Sequence, residues 1–461
     1  VTATCEFSRY DDPARTSAGE MVLLNPNGGA FAMLTTCRLT DATSNLNFCS
    51  VLYANILEKI DGRYPTIGEF VMNTNNQYVL KGPSFLNITP YVILGDPAMS
   101  INYPKLNSVE ITNFLVDNVE SDTIKALSTV NIKGRINDDN GNLLSDFNGI
   151  IYPEIRDKQM NVSTLGNDGA PIQYFSIDKS VIYKGKSVVK NGLFEFTFIT
   201  PKDIAYKFGK AKANFYFSND EYDGNGYYDE YSVGGSSDFS IEDTEGPVIK
   251  LYLNDTSFAD GDITHENPTI LASLYDESGI NTTGNGIGHD IIATLDNDIE
   301  HTYVLNTYYE NELGSYQKGY LSYPIFNLSE GEHSLQIRAW DVYNNSSTEI
   351  LDFVVVKSDE IKLVDLINYP NPFSDETHFE LKHNQASNKL DVELYIYSTN
   401  GQLVKFYTST VSTDKFKDVV YTWNGKDNNG NNTTQGIYVY KVVIKNENGI
   451  ENHISGKIIK L

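Results

Sequence analysis

Short runs of alternating apolar and polar residues dominate the chain from about residue 105 onward. Examples are residues 130–136, 194–199, 269–275 and 391–397, and turns rich in Asn, Gly and Asp lie between such runs. Alternation with a period of two is typical of a β-strand with one buried face. Short strands separated by such turns at regular spacing indicate β-sandwiches. Most of this chain is therefore predicted to be all-β.

The first hundred residues follow a different pattern, because strand and helix signals alternate there. Thr66 and Glu69 have the spacing of a helix capping box. Alternating strands and helices indicate an α/β layer. The predicted elements are a buried strand at 30–39, helices at 47–60 and from Thr66 onward, and a short strand at 92–94.

Length and composition limit the possible classes of protein. A chain of 461 residues is too long for one core, and three or four domains are expected. The net charge of −26 argues against nucleic-acid binding and fits a secreted or surface-exposed protein. All three cysteines lie in the first fifty residues, so the chain is not a disulfide scaffold. No apolar run reaches the ~18 residues of a membrane-spanning helix.

The predicted fold class is multi-domain, α/β followed by all-β. A truncated α/β domain is followed by two β-sandwiches, the second of them immunoglobulin-like, and by a small C-terminal β-sandwich. The predicted boundaries of these domains are 1–104, 105–246, 247–357 and 358–461.

In the first twelve residues, VTATCEFSRYDD, a cysteine follows directly after a run of apolar and β-branched residues. Residues 1–4 are predicted to be a buried strand that ends at the carboxyl edge of a parallel sheet, where α/β proteins place their ligands. The chain therefore starts inside a predicted sheet, and we expect it to be the C-terminal part of a longer protein. From the pattern alone, Cys5 is most simply a small hydrophobic residue.

Four blocks add a family resemblance: TATCEFSRYDDP from Thr2, SAGE from Ser17, NPNGGAFAMLTTCRL from Asn25 and VILGDPAMSINYP from Val92. Together they resemble the C-terminal half of a gingipain-type cysteine peptidase domain, with a caspase-like α/β fold, and among these the type IX secretion sortases. The resemblance implies that Cys5 is the catalytic nucleophile and that its backbone N–H forms half of an oxyanion hole.

The resemblance also places a catalytic histidine upstream of the cysteine, but the first histidine of this chain is His265. A thiol without a base is mostly protonated at neutral pH. We therefore expect the polypeptide by itself to be inactive. Four charged residues fall where the family builds a loop beside the nucleophile, and they form either part of the substrate pocket or a self-paired turn. These residues are Arg9, Asp11, Asp12 and Glu20.

The last hundred residues carry a second resemblance. YPNPF from Tyr369, WNGKDNNG from Trp423 and GIYVYKV from Gly436 resemble the C-terminal sorting domain of type IX secretion cargo. No cofactor is expected. The acidic segment 220–230 leaves calcium as an alternative to a solvated hairpin tip, although it lacks EF-hand spacing. No metal site is predicted.

The resemblances imply a cell-surface cysteine peptidase and transpeptidase that removes sorting domains from exported cargo through a Cys5 thioester. The cargo is then joined to a surface glycolipid. The implied partners are cargo proteins, an outer-membrane β-barrel anchor protein with other secretion components, and lipopolysaccharide as acceptor. Two alternatives remain open: a secreted gingipain-like protease that acts on external proteins, and a non-enzymatic β-sandwich adhesin.

Overall fold

The structure is a computed structural model. It describes the whole chain except residues 3, 26–27, 83–87, 102–108, 139, 179, 222, 240–241, 284–287, 358–360, 362, 385–388 and 413–416. The chain divides into two compact units, Val1–Lys105 and Leu106–Leu461. The predicted domain boundary at 104/105 lies outside the described residues.

The described residues of the first unit form two strands and three helices: α1 (Ala18–Leu23), β1 (Ala32–Thr36), α2 (Ala42–Asn55), α3 (Ile67–Leu80) and β2 (Tyr91–Gly95). The two strands pair in antiparallel orientation. Apolar side chains from α2, α3 and β1 pack into one small core, which includes Leu34, Phe48, Leu52, Phe70 and Tyr78. The α/β character predicted for this segment is therefore confirmed.

The helices begin where side-chain caps are available. The Asp41 carboxylate accepts a hydrogen bond from the Ser44 N–H, so α2 starts earlier than the predicted residue 47. The Thr66 hydroxyl and the Glu69 carboxylate cap α3 reciprocally, as predicted. A side chain that satisfies an otherwise unpaired N–H stabilises the first turn of a helix.

The predicted strand at residues 1–4 is wrong for the described residues 1, 2 and 4, and the parallel sheet that it implied is not formed. Val1 is 53% exposed, and no strand is assigned here. The Thr2 N–H donates to the Leu34 carbonyl at 3.0 Å, whereas the Thr4 carbonyl accepts from the Thr36 side-chain hydroxyl. At the Thr4 carbonyl, a side-chain hydroxyl therefore donates the hydrogen bond that a backbone N–H of a neighbouring strand would otherwise donate. Ala3 lies outside the described residues.

The described part of the second unit begins with twelve strands, most of which contribute to one large core rich in aromatic side chains. They are β3 (Val109–Val116), β4 (Val119–Glu120), β5 (Thr123–Ala126), β6 (Thr129–Ile136), β7 (Gly149–Arg156), β8 (Met160–Ser163), β9 (Tyr174–Ile177), β10 (Val181–Lys184), β11 (Ser187–Lys190), β12 (Leu193–Ile199), β13 (Gly209–Ser218) and β14 (Asp223–Ser236). Ten of them form one sheet in the order β4-β3-β6-β12-β11-β7-β13-β14-β5, with β10 also on β7, while β8 and β9 form a separate pair.

Nine further strands form two sheets that enclose a second core. They are β15 (Val248–Leu253), β16 (Ile263–Thr264), β17 (Thr269–Tyr275), β18 (Ile292–Leu295), β19 (Thr302–Val304), β20 (Tyr309–Asn311), β21 (Lys318–Pro324), β22 (Gly331–Trp340) and β23 (Ser346–Val355). One sheet has the order β15-β17-β21-β20 and the other β16-β23-β22-β18-β19. This two-sheet arrangement agrees with the predicted immunoglobulin-like architecture.

The last seven strands form a third two-sheet body with its own core. They are β24 (Leu363–Tyr369), β25 (Thr377–His383), β26 (Lys389–Ser398), β27 (Leu403–Ser412), β28 (Lys417–Trp423), β29 (Gly436–Asn446) and β30 (Glu451–Lys460). The sheets have the orders β24-β25-β28 and β27-β26-β29-β30. The turn at Asn400-Gly401 connects β26 and β27, which pair in antiparallel orientation.

Candidate functional site

Cys5 lies in a turn on the surface of the first unit. Its side chain is exposed, and its sulfur contacts Thr40: Sγ lies 3.3 Å from the Thr40 carbonyl oxygen and 3.5 Å from the Thr40 nitrogen. The Cys5 N–H makes no backbone hydrogen bond within the described residues. The thiol of Cys5 is therefore presented at the surface of the first unit.

The backbone around Cys5 is held in an uncommon conformation. Glu6 has a φ of 54°, in the left-handed region that non-glycine residues rarely occupy. Ser8 is fully buried, and its N–H donates to the Thr36 carbonyl at 3.0 Å. Gly19 permits this packing, because a Cβ there would lie 1.7 Å from the Ser8 Oγ. Tight contacts at Ser8 thus help to hold the strained residue next to Cys5.

The four predicted pocket residues have partners within the first unit. Arg9 lies 3.5 Å from the Glu6 carboxylate. Asp11 pairs with Arg38, and this guanidinium lowers the pKa of the Asp11 carboxyl. Their role in substrate binding stays a prediction.

Asp12 and Glu20 both accept hydrogen bonds from the backbone. Asp12 accepts from the Ala14 N–H at 3.0 Å and lies 3.4 Å from Arg15. Glu20 accepts from the Ser17 N–H at 2.8 Å, and this contact lowers the pKa of Glu20. Glu20 therefore caps α1, which is a structural role that its spacing from Ser17 could have indicated.

No histidine occurs in residues 1–105. An imidazole base for Cys5 would have to come from outside this stretch of sequence. The other two cysteines are only partly exposed, and burial raises the pKa of the Cys49 thiol.

The acidic segment considered for calcium belongs mainly to a strand, since β14 starts at Asp223. Tyr222 lies outside the described residues. Within the described part of the chain, no three acidic side chains of residues 220–230 bring their oxygens within 4.8 Å of one another. Calcium binding by this segment therefore stays a prediction.

A different group of carboxylates does converge, and the sequence analysis missed it. Oxygens of Asp243, Asp276 and Asp341 lie within 4.8 Å of one another. Burial raises the pKa of Asp276 to about 6, with a further contribution from the two neighbouring carboxylates, and burial also raises the pKa of Asp341. Three such oxygens suit a hard divalent cation. The residues come from three separate places in the chain, so no motif signals the group.

Comparison with known proteins identifies two segments. Residues 1–102 match the Peptidase family C25, and residues 368–448 match the FlgD Ig-like domain. The first match confirms the predicted gingipain-type resemblance and supports a cysteine peptidase. A search of curated proteins found no match.

Several solved structures are similar to this chain. The crystal structure of dimeric latent PorU from Porphyromonas gingivalis is 26% identical, and the match covers 93% of this chain and 41% of PorU, with a TM-score of 0.37. SGBP-B of Bacteroides ovatus is 13% identical over 77% of this chain and 71% of that chain, with a TM-score of 0.24. This chain thus spans about two fifths of the length of PorU. None of the described helices is long and apolar enough to cross a membrane.

Proposed function

We propose that Cys5 is the nucleophile of a C25-type cysteine peptidase centre, within a cell-surface protein that acts as a type IX secretion sortase. The observation that carries this proposal is an exposed thiol in a strained turn within the segment that matches Peptidase family C25. The resemblance of the surrounding sequence implies that this cysteine is the nucleophile. Strained backbone persists where the surrounding structure holds it, and such sites are often functional.

The chemistry would proceed through a thioester. A base removes the thiol proton of Cys5, and the sulfur attacks the scissile carbonyl carbon. The C–S bond forms, the C–N bond breaks, and the leaving amine takes up the proton from the base. An amine or water then attacks the thioester and releases Cys5. The Cys5 N–H would donate to the oxyanion that forms in each step.

The base is not available in residues 1–105, which contain no histidine. We therefore propose that the 461-residue polypeptide by itself does not hydrolyse peptides. The partners proposed for the whole protein are exported cargo with sorting domains, an outer-membrane anchor protein, and lipopolysaccharide as the acceptor. Residues 368–448, with their FlgD-like match, are proposed as the sorting module of this protein itself.

The test is replacement of Cys5 by serine in the natural gene of the producing bacterium, with Cys49→Ser as the matched control. We expect Cys5→Ser to leave cargo uncleaved at its C-terminus, as read by mass spectrometry of surface proteins, and Cys49→Ser to process cargo normally. Normal processing in Cys5→Ser would overturn the sortase role. Loss of secreted protease activity alone would then support the gingipain-like alternative, and no change in either assay would support the adhesin.

A further inference from the structure

A groove of about 560 Å³ lies in the second unit, on the outer face of the sheet with the order β15-β17-β21-β20. We call it the tyrosine groove because three tyrosines are among the side chains that line it. Its lining includes Tyr252, Leu271, Ser273, Tyr308, Tyr320 and Ser322. Its volume is in the range of sites that hold small ligands.

Strand pairing places five of these side chains on one face of the sheet. In one row across the strands, Tyr252 is opposite Leu271, and Leu271 is opposite Ser322. In the next row, Ser273 is opposite Tyr320. Directly opposed residues share a face, and so do residues two positions apart in a strand. The alternate side chains of these strands belong to the second core, so the groove lies on the side away from that core.

Lys186, in the turn before β11, borders the groove. Its ammonium group pairs with the Glu310 carboxylate. The Asn311 side-chain amide donates to the Lys184 carbonyl at 2.7 Å, and the Gly314 N–H donates to the Lys186 carbonyl at 2.8 Å. These three contacts hold the turn at the edge of the groove. Small-molecule sites occur preferentially at such junctions between two folded bodies.

Two tyrosine rings are exposed in the groove and are held by their neighbours. Tyr308 and Tyr320 are each 46% exposed. The Tyr308 ring packs edge-on against Tyr323, with ring centres 4.7 Å apart. The Tyr320 hydroxyl donates to the Glu312 carboxylate at 3.0 Å, and the Lys318 ammonium lies 5.2 Å from the centre of the Tyr320 ring. Rings that are already held lose little entropy when a ligand packs against them.

The charges of the groove balance. Among its described lining residues, the charged ones are Lys186 and Glu310, and they pair with each other. Beside the groove, Lys318 pairs with Glu312 at 3.2 Å. The exposed Lys250 of β15 does not line the groove. Because an ionic ligand is recognised by an uncompensated opposite charge, this balance favours an uncharged ligand.

The hydroxyl groups in the groove are available to a ligand, whereas the backbone below them is not. Within the described part of the chain, the hydroxyls of Tyr252, Ser273, Tyr308 and Ser322 form no hydrogen bond with another residue. Each hydroxyl can both donate and accept. Strands β17 and β21 are paired on both edges, so an extended peptide cannot add to them as a strand. Recognition in this groove therefore depends on side chains.

We infer that the tyrosine groove binds a neutral oligosaccharide. A sugar ring has C–H groups on its faces and hydroxyls around its edge, which matches aromatic rings beside hydroxyls that have no protein partner. The C–H faces of the sugar pack against Tyr308 and Tyr320, and its hydroxyls exchange hydrogen bonds with Ser273 and Ser322. This site is independent of Cys5 and of the proposed peptidase chemistry.

The experiment is native affinity electrophoresis of the whole 461-residue chain in gels that contain α-glucan, β-glucan, mannan or galactan. We expect at least one of these neutral polysaccharides to retard the chain. Tyr308→Ala combined with Tyr320→Ala should raise the dissociation constant about tenfold or more. The matched control is Tyr216→Ala on β13, where the tyrosine is 42% exposed, and it should leave the retardation unchanged. Circular dichroism would verify that each variant is folded.

Two further comparisons test the chemical class of the ligand. Lys250→Ala and a high salt concentration should leave the retardation unchanged, because a neutral sugar makes no ionic contact. A gel that contains gelatin should not retard the chain. Retardation by none of the polysaccharides, no effect of the double tyrosine variant, loss of retardation in Lys250→Ala or at high salt, or tyrosine-dependent retardation by gelatin would each overturn the inference.

Discussion

Cys5 and Cys49 show how one residue type acquires different chemistry from its surroundings. Cys5 is exposed in a strained turn, whereas Cys49 lies on α2 with its pKa raised by burial. Because the thiolate is the reactive form, a partly exposed thiol with a raised pKa reacts more slowly than an exposed one. A thiol-alkylating reagent should therefore react with Cys5 and Cys49 at different rates.

We predict that iodoacetamide alkylates Cys5 well before Cys49 in the native chain. Mass spectrometry of tryptic peptides at successive times would measure both rates. Cys5→Ser should remove the fast phase and leave the slow one unchanged, and urea should make the remaining cysteines react alike. Faster labelling of Cys49 would contradict the exposure described for these sulfurs.

Because the pKa of Asp276 is raised, we predict that the stability of the second unit depends on pH. Its pKa is raised to about 6 in the folded state, so its protonated form is favoured by folding. This stabilisation is complete below the ordinary pKa of an aspartate, near 4, and is lost as the pH rises through 6. The loss approaches ~1.4 kcal/mol per pH unit in that interval.

The prediction is tested with Asp276→Asn, which keeps an acceptor for the Ser278 and Gly279 N–H groups but does not titrate. Hydrogen exchange of β17 and β22 at pH 4.5 and 7.0 would report local stability. We expect the wild type to lose more protection than the variant at the higher pH. The exposed Asp220→Asn serves as control, and an identical pH response of all three proteins would refute the prediction.

At the scale of elements, helix α3 depends on its reciprocal cap. The Glu69 N–H donates to the Thr66 hydroxyl at 3.2 Å, and the Thr66 N–H donates to the Glu69 carboxylate at 2.9 Å. Arg63 also binds this carboxylate, and these contacts lower the pKa of Glu69 to about 2. The cap therefore joins the start of α3 to the preceding turn.

We predict that Thr66→Ala destabilises α3 by about 1 kcal/mol, since it leaves an N–H of the first turn without its acceptor. Thr66→Ser keeps the hydroxyl and should stay close to the wild type. Hydrogen exchange of the α3 amides would measure both variants. Equal protection in Thr66→Ala and Thr66→Ser would show that the cap contributes nothing to the stability of the helix.

At the scale of the whole molecule, the two compact units have separate apolar cores. Both tryptophans of the chain, Trp340 and Trp423, belong to the second unit. Tryptophan fluorescence therefore reports the unfolding of that unit alone.

We predict that a chain of residues 106–461 folds without residues 1–105, because each of its β-bodies buries its own core. Its thermal midpoint by tryptophan fluorescence should lie within a few degrees of that of the whole chain. Circular dichroism should show the helical signal only in the longer protein. A clearly lower midpoint for the shorter chain would mean that the first unit stabilises the second.

The sequence by itself indicated most of the helices and strands and the family resemblance of the first unit. Alternation with a period of two located strands such as β17, and capping spacing located the start of α3, because both signals arise between residues close in the chain. The blocks around Cys5 indicated the gingipain-type resemblance that the match over residues 1–102 confirms.

Only the tertiary structure decided which distant groups meet. The carboxylates of Asp276 and Asp341 follow strands of two different sheets, and Asp243 lies in the segment between β14 and β15. Their convergence is a contact that no local pattern encodes. The strand predicted at residues 1–4 is wrong for the described residues 1, 2 and 4. There the Thr36 hydroxyl binds the Thr4 carbonyl, a competition between side chain and backbone that periodicity cannot show. Local spacing specifies local structure, whereas sites between strands depend on packing.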